Sequence, residues 1–172
     1  MIFSNNSNAQ STEDFKYLMI LNYLNSDSAI IEKIKGLYRQ IGLISKKEKH
    51  VDFKIVDTVE FFYLSTFRHH DTLKSSELGL EQSLIDSSNL YREKFYFEPY
   101  ESQFLKRVSF RKDSHLYLTF SKPVGNYVIV ELNNKRNNPR SIRKTGVAMS
   151  ILFIFDTNGF IERTSIQSGV YN

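Results

Sequence analysis

The apolar positions of this chain change period along its length. Between Phe15 and Ile41 they recur at intervals of three and four, first as Phe15, Leu18, Met19 and Tyr23, then as Ile30, Ile31, Ile34, Leu37, Tyr38 and Ile41. That spacing lays side chains along one face of an α-helix, so two helices are predicted. Ser11-Thr12-Glu13-Asp14 can cap the first, because hydroxyl and carboxylate oxygens accept from the unpaired opening amides. Asn25-Ser26-Asp27 breaks the pattern and offers a cap for the second, whose other side carries Glu32, Lys33, Lys35 and Arg39. An amphipathic face of this kind is expected to pack on a sheet.

From Val51 the pattern becomes that of strands. Val51 to Phe67 is dense in β-branched and aromatic residues with Asp57-Thr58 in its middle, which predicts one bent strand or two short ones. Arg68 to Ser76 reads as polar loop, and Glu77 to Tyr91 has helical spacing through Leu80, Leu84 and Ile85. Arg107 to Arg111 and Leu116 to Phe120 flank the turn-like Lys112-Asp113-Ser114-His115, and Lys122-Pro123-Val124-Gly125 punctuates before Tyr127 to Leu132. A polar loop from Asn133 to Gly146 leads into the most apolar stretch, Val147 to Ile166. There Ile151, Phe153 and Phe155 alternate with Leu152 and Ile154, which predicts a strand covered on both faces. Asp156-Thr157-Asn158-Gly159 closes a hairpin, since Asp and Asn bond their own backbone and Gly accepts a positive φ.

Composition narrows the class. A chain of 172 residues suits one domain, residues 11–172, and 14 Phe with 10 Tyr supply ample core material. The absence of cysteine excludes disulfides, thiolate metal sites and cysteine nucleophiles. No apolar run is long enough to span a bilayer as a helix. Residues 1–10 read in either of two ways. Ser7-Asn8-Ala9 has the form of a signal-peptidase site, so the segment is the tail of an export signal whose start lies upstream, as in secreted proteins of Bacteroidota, or it is a polar terminus. The first places the protein in the periplasm or outside the cell, and the second in the cytoplasm.

Two helices, a strand or hairpin, a further helix, then meandering strands that end in Phe153 to Ile161, FIFDTNGFI, make a layout that resembles the NTF2-like superfamily. The resemblance implies an α+β fold in which N-terminal helices pack on a curved, mostly antiparallel sheet in a cone, with a pocket between helices and sheet. Members of that superfamily include enzymes, binders and assembly modules, so layout alone leaves function open.

The candidate chemistry is sparse. His69-His70-Asp71 is the one histidine cluster, a possible polar site in which one imidazole could act as a base beside Asp71. Adjacent strand residues point to opposite faces, so the pair is not expected to hold a metal, and no cofactor is indicated. The loop from Asn133 to Gly146 holds Lys135, Arg136, Arg140, Arg143 and Lys144 with no acid. These five cations exceed the whole chain's net charge of +4, so the positive charge is concentrated here. Such a loop can grip an acidic protein, an anionic glycan or a small anion. Nucleic acid is not expected, because its footprint spreads over a face and carries stacking aromatics that this loop lacks. The pattern therefore predicts a non-enzymatic binding or interaction module working through the pocket or the basic loop. The alternatives are a lyase or isomerase of NTF2-like type and an anion-binding protein that uses the loop.

Overall fold

The computed structural model of the chain describes residues 12–45, 51–60, 99–108, 114–135 and 146–171. The signal-like Ser7-Asn8-Ala9, the second half of the Val51 to Phe67 strand, the polar loop and helix expected between Arg68 and Tyr91, and the turn Lys112-Asp113 lie outside these residues.

Two helices open the described chain, α1 (Thr12–Ser26) and α2 (Ser28–Gln40). Asp27 separates them as the sequence indicates: it adopts extended backbone and its side chain accepts from the Ile30 amide at 2.9 Å, capping α2. That hydrogen bond, with a second from the Tyr23 phenol, holds the Asp27 carboxyl below its ordinary value. The face that α1 buries is not the expected one. Phe15, Leu18, Met19 and Tyr23 are only half-buried, whereas Tyr17, Ile20, Leu21 and Leu24 are buried. Apolar residues ring this helix almost completely, so spacing alone could not say which stripe meets the sheet. In α2 the expected stripe holds through Ile30, Ile34 and Tyr38, while Ile41 lies just past the end and is exposed.

Among the described residues six strands precede the last. They are β1 (Lys54–Ile55), β2 (Thr58–Val59), β3 (Tyr100–Glu101), β4 (Tyr117–Phe120), β5 (Tyr127–Asn133) and β6 (Gly146–Phe155), and the chain closes with the longest, β7 (Ile161–Tyr171). Helix α3 (Gln103–Val108) follows β3. The main sheet has the order β1-β4-β5-β6-β7, antiparallel except for the parallel pair β1 with β4. β2 and β3 form a separate antiparallel ladder. Helices plus a mixed, largely antiparallel sheet make this an α+β fold.

Among the described residues from Val51 to Glu60 the chain forms two short strands, β1 and β2, and the remainder of the stretch expected to run to Phe67 lies outside the described residues. The hairpin expected between Arg107 to Arg111 and Leu116 to Phe120 is corrected: Arg107 and Val108 close α3, and β4 takes its neighbours from β1 and β5. The side chain of Ser102 explains the helix, because its hydroxyl accepts from the Leu105 amide and so caps α3 in a way that period counting does not see.

The β6–β7 hairpin is the organising ladder, and its two faces divide as the alternation predicts. Ile151, Phe153 and Phe155 join Val128, Val130, Leu132 and the buried residues of α1 and α2 in one core. Leu152 and Ile154 join Ile129 in a second cluster on the opposite face, with Tyr127 and Val124 against it. Helix and sheet are locked by edge-on rings, Tyr17 against Phe120 and Tyr23 against Phe153 at centroid distances of 5.0 and 5.8 Å. The phenol of Tyr38 adds a 2.7 Å hydrogen bond to the Leu132 carbonyl. At the hairpin tip the Asp156 carboxylate accepts from the Asn158 and Phe160 amides at 2.9 Å, and Gly159 takes a φ of 85°. This is the turn chemistry expected of Asp-x-x-Gly.

Candidate functional site

The strands β5 and β6 run side by side, so each end of their ladder collects residues from several elements. At one end lie the turns Gly125–Asn126 and Asp156–Gly159, joined by the 2.9 Å bond from the Phe155 amide to the Asn126 carbonyl. At the other end, roughly 20 Å away along a seven-residue strand, lies the root of the basic loop.

The turn end gathers the polar side chains of α1. Glu13 Oε1 accepts from the Tyr17 phenol at 2.9 Å and from the phenol of Tyr100 in β3. The Tyr17 oxygen also lies 3.2 Å from the Ser121 carbonyl. Tyr17 is fully buried, and that desolvation, followed by the negative charge of Glu13, pushes its phenol far above the ordinary value. Tyr100 is raised in the same direction, chiefly by burial and then by its bond to Glu13. Both phenols are therefore neutral hydrogen-bond donors across the physiological range, and they tie α1 to β3 and to the end of β4. One residue along, the Lys16 ammonium donates to the Gly125 carbonyl at 2.5 Å and sits 5.4 Å from the centre of the Phe155 ring. Burial lowers its pKa from the ordinary lysine value. Sequence reasoning missed this cluster. Tyr100 is 87 residues from Glu13, and the only hint near at hand was a lysine set within the apolar run Phe15 to Leu21 of α1.

The opposite end is built from amides. Asn133 belongs to β5 and Gly146 to β6, so the connecting segment is shorter by a residue at each end than the sequence suggested. The Asn134 amide donates to the Val147 carbonyl at 3.2 Å while the Asn134 side chain accepts from the Val147 amide at 2.8 Å. Asn133 turns its side-chain oxygen to the Lys135 amide at 2.9 Å. Gly146 has a φ of 108°, and a Cβ there would collide with the amide oxygens of both asparagines. The chain therefore leaves and re-enters the ladder through a fixed gate. Of the five predicted cations Lys135 is described, exposed beside that gate. Arg136, Arg140, Arg143 and Lys144 lie outside the described residues, as do His69, His70 and Asp71.

The far face of β5 and β6 carries buried polar groups beside its apolar cluster. Glu131, Asn133 and Ser150 are all buried there, with the Asn133 amide 3.5 Å from Glu131. The Glu131 charge reaches through the sheet to Tyr38, whose phenol is raised first by burial and then by that carboxylate. Among the described residues no group of His, Asp and Glu is arranged to hold a metal ion, and no helix is long and apolar enough to cross a membrane. No protein-family model, no curated protein and no solved structure matches the chain.

Proposed function

We propose that this chain is a non-enzymatic binding module, NTF2-like in layout, that recognises an acidic partner through the loop between β5 and β6. The observation that carries the reading is the gate at Asn133, Asn134, Gly146 and Val147, which roots a segment containing Lys135, Arg136, Arg140, Arg143 and Lys144 at the end of the two central strands. A fixed root lowers the ordering cost of binding, and five cations without an acid set the sign of the ligand as negative. An acidic protein surface and an anionic glycan both meet that requirement.

The lyase or isomerase alternative draws on the Glu13, Tyr17 and Tyr100 cluster, and the same cluster argues against it. A general acid or base must exchange its proton with substrate at a pKa near the working pH. Here the Glu13 oxygen is taken up by two phenols, and burial holds Tyr17 and Tyr100 well above that range. The cluster supports the reading of a brace.

The binding reading is tested by retention on immobilised heparin, a sulfated polyanion, as salt is raised. The parent is expected to elute at higher salt than a variant with all five cations replaced by Gln or Ser, because screening over about 8 Å at physiological ionic strength weakens exposed ion pairs. Coelution of variant and parent would overturn the assignment of the loop.

A further inference from the structure

The tip of the β6–β7 hairpin carries chemistry that neither the brace nor the basic loop uses. Asn158-Gly159 is the one place in the sequence where an asparagine is followed directly by glycine. Asparagine is among the thermolabile side chains, because the backbone nitrogen of the next residue can attack its side-chain carbonyl carbon. A Cβ on that next residue crowds the attack, and glycine has none. Asn158 is exposed and so has water at hand, and Gly159 takes a φ of 85°. The other asparagines of the described chain differ. Asn133 and Asn134 have their side-chain oxygens held by the Lys135 and Val147 amides, Asn25 donates from its side chain to the Leu21 carbonyl, and Asn22 and Asn126 are each followed by a tyrosine.

We propose that Asn158 is a site of self-modification, converted through a cyclic imide to an aspartyl or isoaspartyl linkage, and that the Asp156 turn is its brake. The Gly159 nitrogen loses its proton and bonds to the Asn158 side-chain carbonyl carbon, and the side-chain nitrogen leaves as ammonia. Water then adds to either ring carbonyl and opens the ring. One opening restores the ordinary backbone, and the other routes the backbone through the side-chain carbons. Water is consumed, ammonia is released, and nothing is oxidised or reduced. The brake lies in the hydrogen bonds of the turn. The Gly159 amide, which is the attacking group, donates to the Asp156 carbonyl at 3.1 Å, and the Asp156 carboxylate accepts from the Asn158 and Phe160 amides on either side of it at 2.9 Å. Attack therefore waits for the turn to open. The consequences fall on the same turn: a carboxylate replaces a neutral amide close to Asp156, and an isoaspartyl linkage lengthens the backbone between the two amides that Asp156 holds. The Phe15 ring, 3.1 Å from where a Gly159 Cβ would stand, leaves the longer turn little room against α1. Conversion thus loosens the tip of the ladder that organises the sheet, and it involves no residue of the basic loop.

The test is incubation of the whole chain at mildly alkaline pH, with the peptide containing Asn158 followed by mass spectrometry. Conversion is expected to begin there before any other asparagine, with the mass gain of an amide turned acid and two products of equal mass that chromatography separates. Asn158→Gln is expected to abolish it, since a side chain longer by a methylene closes the ring far more slowly. The unaltered protein unfolded in urea is expected to convert at least about tenfold faster than the native protein, because the turn is then open. That comparison needs no variant, so it stands even if Asp156→Ala, expected to move the native rate toward the rate in urea, folds poorly. The converted fraction, more acidic and so separable by ion exchange, is expected to melt below the parent. Conversion that begins at another asparagine, or none at Asn158 in the native protein, would overturn the site. Equal rates with and without urea would overturn the brake, and an unchanged melting temperature would overturn the effect on the hairpin.

Discussion

The two ends of the β5–β6 ladder use polar residues in opposite ways. At the turn end, the polar groups of α1 are drawn into the protein: Tyr17 is fully buried, Lys16 nearly so, and their partners are Glu13, Tyr100, the Ser121 and Gly125 carbonyls and the Phe155 ring. At the loop end, short amides fasten backbone to backbone and leave the long charged side chain of Lys135 outside. The first arrangement ties helices to sheet, so altering it should unfold the protein. The second fixes only where a loop begins, so altering its charges should change what is bound and leave the fold intact. Buried groups forfeit their packing and hydrogen bonds when truncated, whereas exposed charges are screened by water and salt.

That division orders the expected effects. The largest belongs to the core beneath the turn end, where Phe155→Ala or Phe153→Ala is expected to cost about 3 to 5 kcal/mol against a total stability of roughly 5 to 15. Chemical denaturation measures it, and a loss below about 1 kcal/mol at either position would mean that β6 is not the central buried strand. Gly146→Ala comes next. Its positive φ and the two asparagine oxygens leave no room for a methyl group, so a loss of about 1 to 3 kcal/mol is expected, the range for an ordinary residue held in such backbone. A neutral result would show that the gate is loose.

A smaller effect follows from the phenols. Tyr17, Tyr38 and Tyr100 all have folded pKa values raised above the ordinary 10.0, so the folded state holds their protons to higher pH than the unfolded state does. Their contribution is fully present below about pH 10 and is lost as pH rises beyond it, because there the unfolded chain binds fewer protons. Unfolding free energy measured from pH 8 to 11 is expected to fall above pH 10, and Tyr17→Phe is expected to flatten that fall. A pH-independent profile would place these phenols in water.

Much of the ladder and little of the cluster was legible in the sequence. Alternation placed Ile151, Phe153 and Phe155 on one face and Leu152 with Ile154 on the other, because a strand has only two faces. Asp27 and the Asp156 turn were legible because capping and turn chemistry are local. The buried stripe of α1 was not, since an all-round apolar helix offers several stripes and the sheet chooses among them. Arg107 and Val108 were read as strand from their composition, while the Ser102 cap committed them to α3. The Glu13, Tyr17 and Tyr100 brace needed contacts over 87 residues of chain, which no window of sequence contains. The basic loop was legible as composition, and its asparagine gate only as geometry.

The central claim is that the loop end serves recognition and the turn end serves the fold. The most direct measurement compares parent and the variant lacking the charges of Lys135, Arg136, Arg140, Arg143 and Lys144 in two assays at once, melting temperature and the salt needed to elute from heparin. The account predicts melting temperatures that agree within a few degrees and an elution point that drops steeply. A variant that melts far below the parent, or that elutes with it, would contradict the claim, since the five charges would then either support the fold or contact no ligand.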